Sequence, residues 1–427
     1  MQNRVQKKKK ISLTTMIFIA LLAGALAGVI INYLIPSNYV VDDIIVQGVF
    51  YIVGQGFIRL MRMLVVPLVF CSIVCGSMAV GDTKKLGSVG VKTLIFYLCT
   101  TALAITVALT IANIFNPGKG LDMSQIQVTS TVSETTQSMS MTETLLDIIP
   151  VNIFNSLSEG NMLQIIVFAL ILGVILANMG DRVDIVKNFF GQFNDIMMEM
   201  TMAVMKLAPI GVFCLIAKTF AEIGFEVFIP LLKYMFCVLL ALAVQCFVVY
   251  LGLLKIFSGL NPFIFIKNFF PVMAFAFSTS TSNATIPMNI DTIAEKMGVS
   301  KKISSFTIPL GATINMDGTS IMQGVAVVFT AQAFGIPLDM MDYLTVIGTA
   351  TLASIGTAGV PSVGLITLTM VFNSVGLPIE GIALIMGIDR ILDMTRTAVN
   401  ITGDAVCTTI VASWNKAVDR DVYYRRK

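Results

Sequence analysis

The chain has 427 residues, of which 56% are hydrophobic and only 12% charged, with a formal net charge of +3 and no histidine. A water-soluble fold normally carries roughly 25% charged residues, so the composition excludes a soluble globular protein and points to a polytopic membrane protein. The small net charge implies no nucleic acid or other highly charged partner, and the missing histidine excludes Ser-His-Asp and Cys-His nucleophilic sites and His-ligated zinc or haem. The seven cysteines lie in or beside apolar runs and are odd in number, so no disulfide framework is expected.

A membrane-spanning helix needs about 20 apolar residues. In chain order the apolar runs predict spans at 11–35, 44–80, 91–115, 163–179, 189–220, 225–257, 306–334 and 379–411. The first run follows Arg4 and Lys7 to Lys10. It is too long for the apolar part of a signal peptide and no small-residue cleavage motif follows, so it reads as a retained helix. Two further apolar segments are interrupted. One, 262–290, is broken by Ser278-Thr279-Ser280-Thr281-Ser282-Asn283 and Pro287, and the other, 344–372, by Gly356-Thr357-Ala358-Gly359-Val360-Pro361-Ser362. Irregular backbone survives at membrane depth only where protein or a cavity surrounds it. Both segments therefore read as re-entrant helical hairpins.

The basic residues fit this count. With the N-terminus cytoplasmic, Lys84, Lys85, Arg182, Lys187, Lys255, Lys301, Lys302 and the terminal Arg425, Arg426 and Lys427 all fall on the cytoplasmic side. The opposite connections are nearly free of Lys and Arg: the long loop 116–143 has only Lys119, and Lys218 is a mild exception. The sequons at Asn283 and Asn400 fall at membrane depth, where glycosylation is not expected.

Polar groups concentrate in the C-terminal half. Asp389, Asp393, Arg396, Asn400 and Asp404 recur at spacings of 4, 3, 4 and 4 residues. At about 100° per residue they fall within an arc of roughly 80°. Charges at a helix centre are costly to insert, about 2.5–3.5 kcal/mol each, so this stripe predicts a ligand or ion pathway. The preceding span carries Asn315-Met316-Asp317-Gly318-Thr319, and Gly311 and Gly318 permit a break that frees carbonyl oxygens for a small cation. The units 262–334 and 344–411 each join a hairpin to a polar span, with the hairpins entering from opposite sides. Such inverted repeats point to a secondary transporter site at the midplane. Hairpin tips would present N–H groups to an anion. Arg396, an always-charged fork for carboxylates, suits an amino acid with an extra carboxylate, with Asp393 taking its ammonium group. If Arg396 paired only with Asp389 or Asp393, the substrate would be neutral.

These residues resemble the glutamate/aspartate transporter family, the dicarboxylate/amino acid:cation symporters. The resemblance lies in 278–287, 311–324, 354–361 and 389–404, above all in Arg396-Thr397-Ala398-Val399-Asn400-Ile401-Thr402-Gly403-Asp404. It implies an all-α protein of eight transmembrane helices and two opposed re-entrant hairpins, a homotrimer in the cell membrane with cytoplasmic termini. It further implies a scaffold from 1–80 and 119–222, and a transport domain from 81–118 and 223–417 that moves as an elevator, with a cytoplasmic tail at 418–427. The second hairpin would be its gate. Implied substrate contacts are Ser282, Thr319, Val360, Gly364, Asp393, Arg396, Thr397 and Asn400. Implied sodium sites use Asn400 and Asp404 with backbone oxygens of Gly311 and Asn315; backbone oxygens of Thr313, Ser354, Ile355 and Thr357; and Tyr97, Thr100 and Thr101 with Asn315 and Asp317. Sodium would be the coupling ion, with no organic cofactor. The substrate would be an acidic amino acid, or alternatively a C4-dicarboxylate or neutral amino acid, with protons in place of sodium left open. One departure stands out: where the family usually carries a second arginine, this chain has Ser280 and Met394.

Two rivals fit less well. An intramembrane aspartyl protease would need its aspartates in Tyr-Asp and Gly-x-Gly-Asp contexts, which do not occur here, and a channel would not concentrate its substrate. The reading is a transporter and not an enzyme.

Overall fold

The structure, a computed structural model, describes residues 13–81, 88–121, 149–224, 228–355 and 363–424. Outside them lie Arg4, Lys7 to Lys10, Lys84, Lys85, Arg425, Arg426, Lys427, most of the loop 116–143, and the tip of the second hairpin with Thr357 and Val360. Among the described residues the fold is helical throughout, apart from one antiparallel bridge between Val299 and Val418. This suits a bilayer, where each backbone polar group must find its partner within its own segment.

The helices are α1 (Leu13–Leu34), α2 (Tyr51–Gly81, preceded by a π-helical segment Val40–Phe50) and α3 (Ser88–Phe115). Then come the short α4 (Ile153–Glu159), α5 (Met162–Met179), α6 (Asp184–Met205) and α7 (Ala208–Ile223). The apolar helix α8 (Phe228–Ala243) passes through a π-helical turn (Val244–Tyr250) into α9 (Leu251–Ser258). The C-terminal half holds α10 (Pro262–Thr279), α11 (Ser282–Met297), α12 (Lys301–Ile314), α13 (Asp317–Ala333), α14 (Met340–Ser354), α15 (Val363–Ser374), α16 (Gly381–Trp414) and α17 (Arg420–Tyr424).

By length and apolar composition, six stretches of the described residues suffice to cross a membrane: Thr15–Leu34, Val40–Leu60, Val89–Phe115, Gln164–Met205, Phe228–Ser258 and Pro262–Thr279. One detail differs from the sequence reading. The run 163–179 is α5, which ends at Gly180 (φ 63°) in a 3-10 turn (Gly180–Val183), whereas the run 189–220 is divided between α6 and α7, parted at Lys206 and Leu207. The run 306–334 is two helices parted at Asn315 and Met316, in line with the break expected between Gly311 and Gly318. The long α16 is absent from the six because its own charges lower its hydropathy.

Packing explains the arrangement. α1 lies along α7, and α2 lies against α5, α6 and α7. Gly24 and Gly28 permit the first contact: a Cβ at Gly28 would lie 2.5 Å from the carbonyl oxygen of Ala217. Small residues spaced four apart are the usual route to such close approach in lipid. A second group forms around α16, which touches α8, α9, α10, α12 and α13, while α3 packs on α13 and α14. The outward faces are apolar, with Leu22, Leu26, Ile52 and Phe263 all exposed, whereas α13 and α16 bury their polar side chains. Lys218, the exception to the charge pattern, is neutralised by Glu222 at 2.8 Å.

The first interrupted segment is a helical hairpin. α10 and α11 pack together, and the chain reverses at Ser280, in the left-handed region with φ 51°, and extended Thr281. Its buried Ser280 hydroxyl finds no hydrogen-bond partner among the described residues. α14 and α15, the arms flanking the second interruption, also pack against each other, and α15 touches α13 and α16. All seven cysteines are free.

Candidate functional site

Asp389, Asp393, Arg396, Asn400 and Asp404 are all buried along α16. The guanidinium of Arg396 donates from Nη1 to Asp389 Oδ1 at 2.5 Å and from Nη2 to Asp393 Oδ1 at 2.8 Å. One cation therefore faces two carboxylates. Arg396 Nε is buried and has no hydrogen-bond partner among the described residues. Thr397 donates to the carbonyl of Asp393 at 2.8 Å, which fixes the turn carrying that carboxylate.

The break between α12 and α13 meets α16 one and two turns further on. Separate helix ends leave backbone groups without intrahelical partners. The N–H of Gly318, in the first turn of α13, donates to Asn400 Oδ1 at 2.7 Å. Asn315 donates to Asp404 Oδ1 at 2.8 Å and to the carbonyl of Asn400 at 2.9 Å. Space here is tight. A Cβ at Gly311 would lie 2.4 Å from Asp404 Oδ1 and 2.5 Å from the Tyr97 hydroxyl, so only glycine lets the three meet.

Asp317 opens α13 and is wholly buried. It accepts from Thr101 of α3 at 2.6 Å, from Tyr250 at 2.7 Å and from Gln245 at 3.0 Å. All three donors are neutral. No described Lys or Arg forms an ion pair with Asp317 or Asp404. Among the described residues, Asn315 Oδ1 and Gln245 Oε1 are buried acceptors without donors. Buried carboxylates without a counter-charge are costly, and acceptor oxygens without donors suit a hard cation, which takes oxygen ligands. These oxygens fit a small hard cation, and the Met316 thioether lies beside them, 3.4 Å from Asn400 Nδ2.

A second group forms beside the guanidinium. Gly364 at the start of α15 is buried, and a Cβ there would lie 2.9 Å from Thr319 Cγ2 and 3.4 Å from Arg396 Nη2. So Thr319, Gly364, Asp393, Arg396, Thr397 and Asn400 converge, as do Tyr97, Thr101, Gly311, Asn315, Asp317 and Asp404. The remaining expected residues are less engaged. Thr100 donates within α3 to the Tyr97 carbonyl at 3.1 Å. Thr313 donates to Pro309 at 2.8 Å and Ser354 to Thr351 at 2.7 Å, each within its own helix. Ser282 is buried at the first position of α11, and Ile355 caps α14 with extended backbone. Thr357 and Val360 lie outside the described residues.

Gln245 and Tyr250 escaped the sequence reading. The available signal was a lone glutamine within an apolar run. In an α-helix, residues five apart point about 140° from each other at about 100° per residue. The π-helical turn Val244–Tyr250 widens the spiral and lets both reach Asp317.

Helices broken at membrane depth around a buried charged stripe define a membrane transport protein. Residues 13–414 match the sodium:dicarboxylate symporter family, and the chain belongs to that family. It is 40% identical over 411 residues to the proton/sodium-glutamate symport protein of Bacillus caldotenax, covering 95% of each chain. It is 36% identical over 422 residues to the proton/glutamate-aspartate symporter of Escherichia coli (strain K12), covering 97% of this chain and 95% of that one. To the C4-dicarboxylate transport protein 1 of Ralstonia nicotianae it is 33% identical over 372 residues, covering 86% of each.

Proposed function

We propose that this protein is a secondary symporter that takes up an acidic amino acid, aspartate or glutamate, coupled to sodium. The observation that carries this is the buried Arg396, whose Nε–H is unpartnered among the described residues while its other nitrogens hold Asp389 and Asp393. A guanidinium has five N–H donors, so the fork has room for a substrate carboxylate. One cation against two carboxylates leaves one negative charge, which the substrate's ammonium group would offset at Asp393. Thr319, Gly364, Thr397 and Asn400 would line the same site, with Ser282 and Val360 supplied by the two hairpin tips.

Sodium would enter beside Asp317 and Asp404, with Tyr97, Thr100, Thr101, Asn315 and Asn400 and the Gly311 carbonyl around it. What supports this is the pair of buried carboxylates with no cationic side chain against them. A further sodium would use carbonyls of Thr313, Ser354, Ile355 and Thr357. In this reading eight spans and two hairpins cross or enter the cell membrane, with both termini cytoplasmic. The protein would work as a homotrimer with 1–80 and 119–222 as scaffold and 81–118 and 223–417 as an elevator. The close packing of α1 on α7 and of α2 on α5, α6 and α7 supports that division, although α1 and α7 also touch α16 and α2 touches α15.

A second reading has its own support. Both nearby carboxylates already sit on Arg396, which would suit a neutral amino acid. Uptake of labelled aspartate and glutamate into proteoliposomes distinguishes the two, with sodium or proton gradients imposed and succinate and neutral amino acids as competitors. Concentrative, sodium-driven aspartate or glutamate uptake is expected. Uptake competed only by neutral amino acids or only by succinate would overturn the acidic amino acid assignment.

A further inference from the structure

A cavity of about 350 Å³ lies between α3, α9 and the end of α16. Its walls include Lys92, Ile95, Cys99, Leu103, Phe257 and Trp414. Apart from Lys92, the wall they form is nearly all apolar. It lies on the side of α3 away from Thr101, the residue that holds Asp317. From Lys92 to Leu103 the α3 wall runs about 16 Å, at about 1.5 Å per residue. That is close to half of a hydrocarbon core about 30 Å thick, the depth of one leaflet. The wall opens outward: Ile95, Leu103, Phe257 and Trp414 are exposed, and Cys99 alone of the seven cysteines is exposed.

The two ends of this groove differ. Leu103 lies at the deep end. At the other, Lys92 follows the basic connection that bears Lys84 and Lys85, and Trp414 closes α16 with its ring packed edge-on against Phe257 at 5.7 Å. Lys92 is half-buried and forms no ion pair with a described carboxylate. Trp and Lys at one end of an apolar slot are the residues of a membrane interface. Basic residues on the cytoplasmic side attract anionic headgroups.

We propose that this groove seats one acyl chain of an anionic phospholipid from the cytoplasmic leaflet, with Lys92 holding the lipid phosphate. The leaflet follows from the cytoplasmic orientation proposed above; the lipid binding itself does not depend on what is transported. The site sits back to back with the Asp317 cluster. Thr100, which lines the groove, accepts Gln245 Nε2 on its carbonyl at 3.4 Å, and Thr101 holds Asp317.

Cys99 supplies the probe. The full-length protein would be placed in nanodiscs of phosphatidylcholine alone, or of phosphatidylcholine with phosphatidylglycerol of the same acyl chains. Alkylation of Cys99 by a membrane-soluble maleimide is then timed. Phosphatidylglycerol is expected to slow labelling about fivefold, corresponding to the ~1 kcal/mol that one basic residue is worth toward an anionic leaflet. Lys92→Gln should erase that difference and Lys92→Arg keep it. Equal labelling in the two wild-type preparations would overturn the proposal, since the groove would then hold any lipid by apolar contact alone. So would Cys99 protection in both, with Cys99 cross-linking between copies, which would make this face a subunit contact. Because the readout needs no transport, failure of the uptake assignment leaves this test intact.

Discussion

Arg396 Nη1 lies 2.5 Å from Asp389 Oδ1, two helical turns away on the same helix. Asp389 therefore aims the guanidinium before any substrate arrives, and Asp393 shares it. Removing Arg396 would leave two buried carboxylates facing each other, and breaking a buried pair typically costs about 3–5 kcal/mol. Arg396→Cys should thus lose acidic substrate uptake by at least about a hundredfold and gain binding of neutral amino acids. The double variant Arg396→Cys/Asp389→Asn should recover thermal stability without recovering aspartate uptake. Near-normal aspartate affinity in either variant would remove Arg396 from the site.

Asp393 is the carboxylate proposed for the substrate ammonium group, and Thr397 holds its backbone in place. Asp393→Asn keeps the shape and removes the charge. Aspartate and glutamate uptake should fall below detection, while succinate, which has no ammonium group, should bind no worse than in wild type. Isothermal titration with the three ligands reads this directly. Equal loss of all three would assign Asp393 to holding Arg396 and not to the ammonium.

The tail is a clasp on the first hairpin. Asp419 N–H donates to Gly298 at 2.8 Å, Arg420 to Ser258 at 3.1 Å and Tyr423 to Asn261 at 2.8 Å. Gly298 has φ 66°, and a Cβ there would lie 2.3 Å from the Asp419 carbonyl oxygen. The clasp thus binds both roots of the α10–α11 pair. Hydrogen bonds of this kind contribute about 1 kcal/mol each. Deleting residues 418–427 should speed hydrogen exchange at 259–263 and 298–300 by about tenfold or more, leaving α1 and α7 unchanged. Unchanged exchange at those roots would show that the clasp holds nothing.

Much of this was legible because a bilayer makes polar residues conspicuous. The stripe from Asp389 to Asp404 stood out against apolar neighbours, and all five of its side chains are buried. The break near Gly311 and Gly318 was likewise visible, though glycine marks where a chain can bend and not where it does; the helices part at Asn315 and Met316. Pairing partners were not visible. Nothing in the spacing of Gln245 and Tyr250 says that a π-helical turn brings both to Asp317.

Coupling should pass through Asp317 and Asp404, joined through Asn315 and α16. Neither has a cationic partner among the described residues, and Asp317 is held by three neutral donors. A bound sodium would supply the charge that burial demands. Its ligand Asn315 also bonds the carbonyl of Asn400, while Asn400 Oδ1 receives Gly318 N–H beside Thr319. The cation and substrate positions therefore share a backbone. Each ligand should raise the affinity of the other by the same factor, as linkage requires. Asp317→Asn and Asp404→Asn should each flatten the sodium dependence of aspartate binding and weaken binding at saturating sodium by about tenfold or more. Tyr250→Phe and Gln245→Leu each delete one donor to Asp317 and leave the carboxylate, so a smaller shift toward higher sodium is expected, about 1 kcal/mol or fivefold. Aspartate binding across a sodium series in detergent, repeated at two pH values, measures all four. A wild-type affinity indifferent to sodium but steep in pH would assign these carboxylates to protons, and a normal sodium curve in Asp317→Asn would move the cation elsewhere.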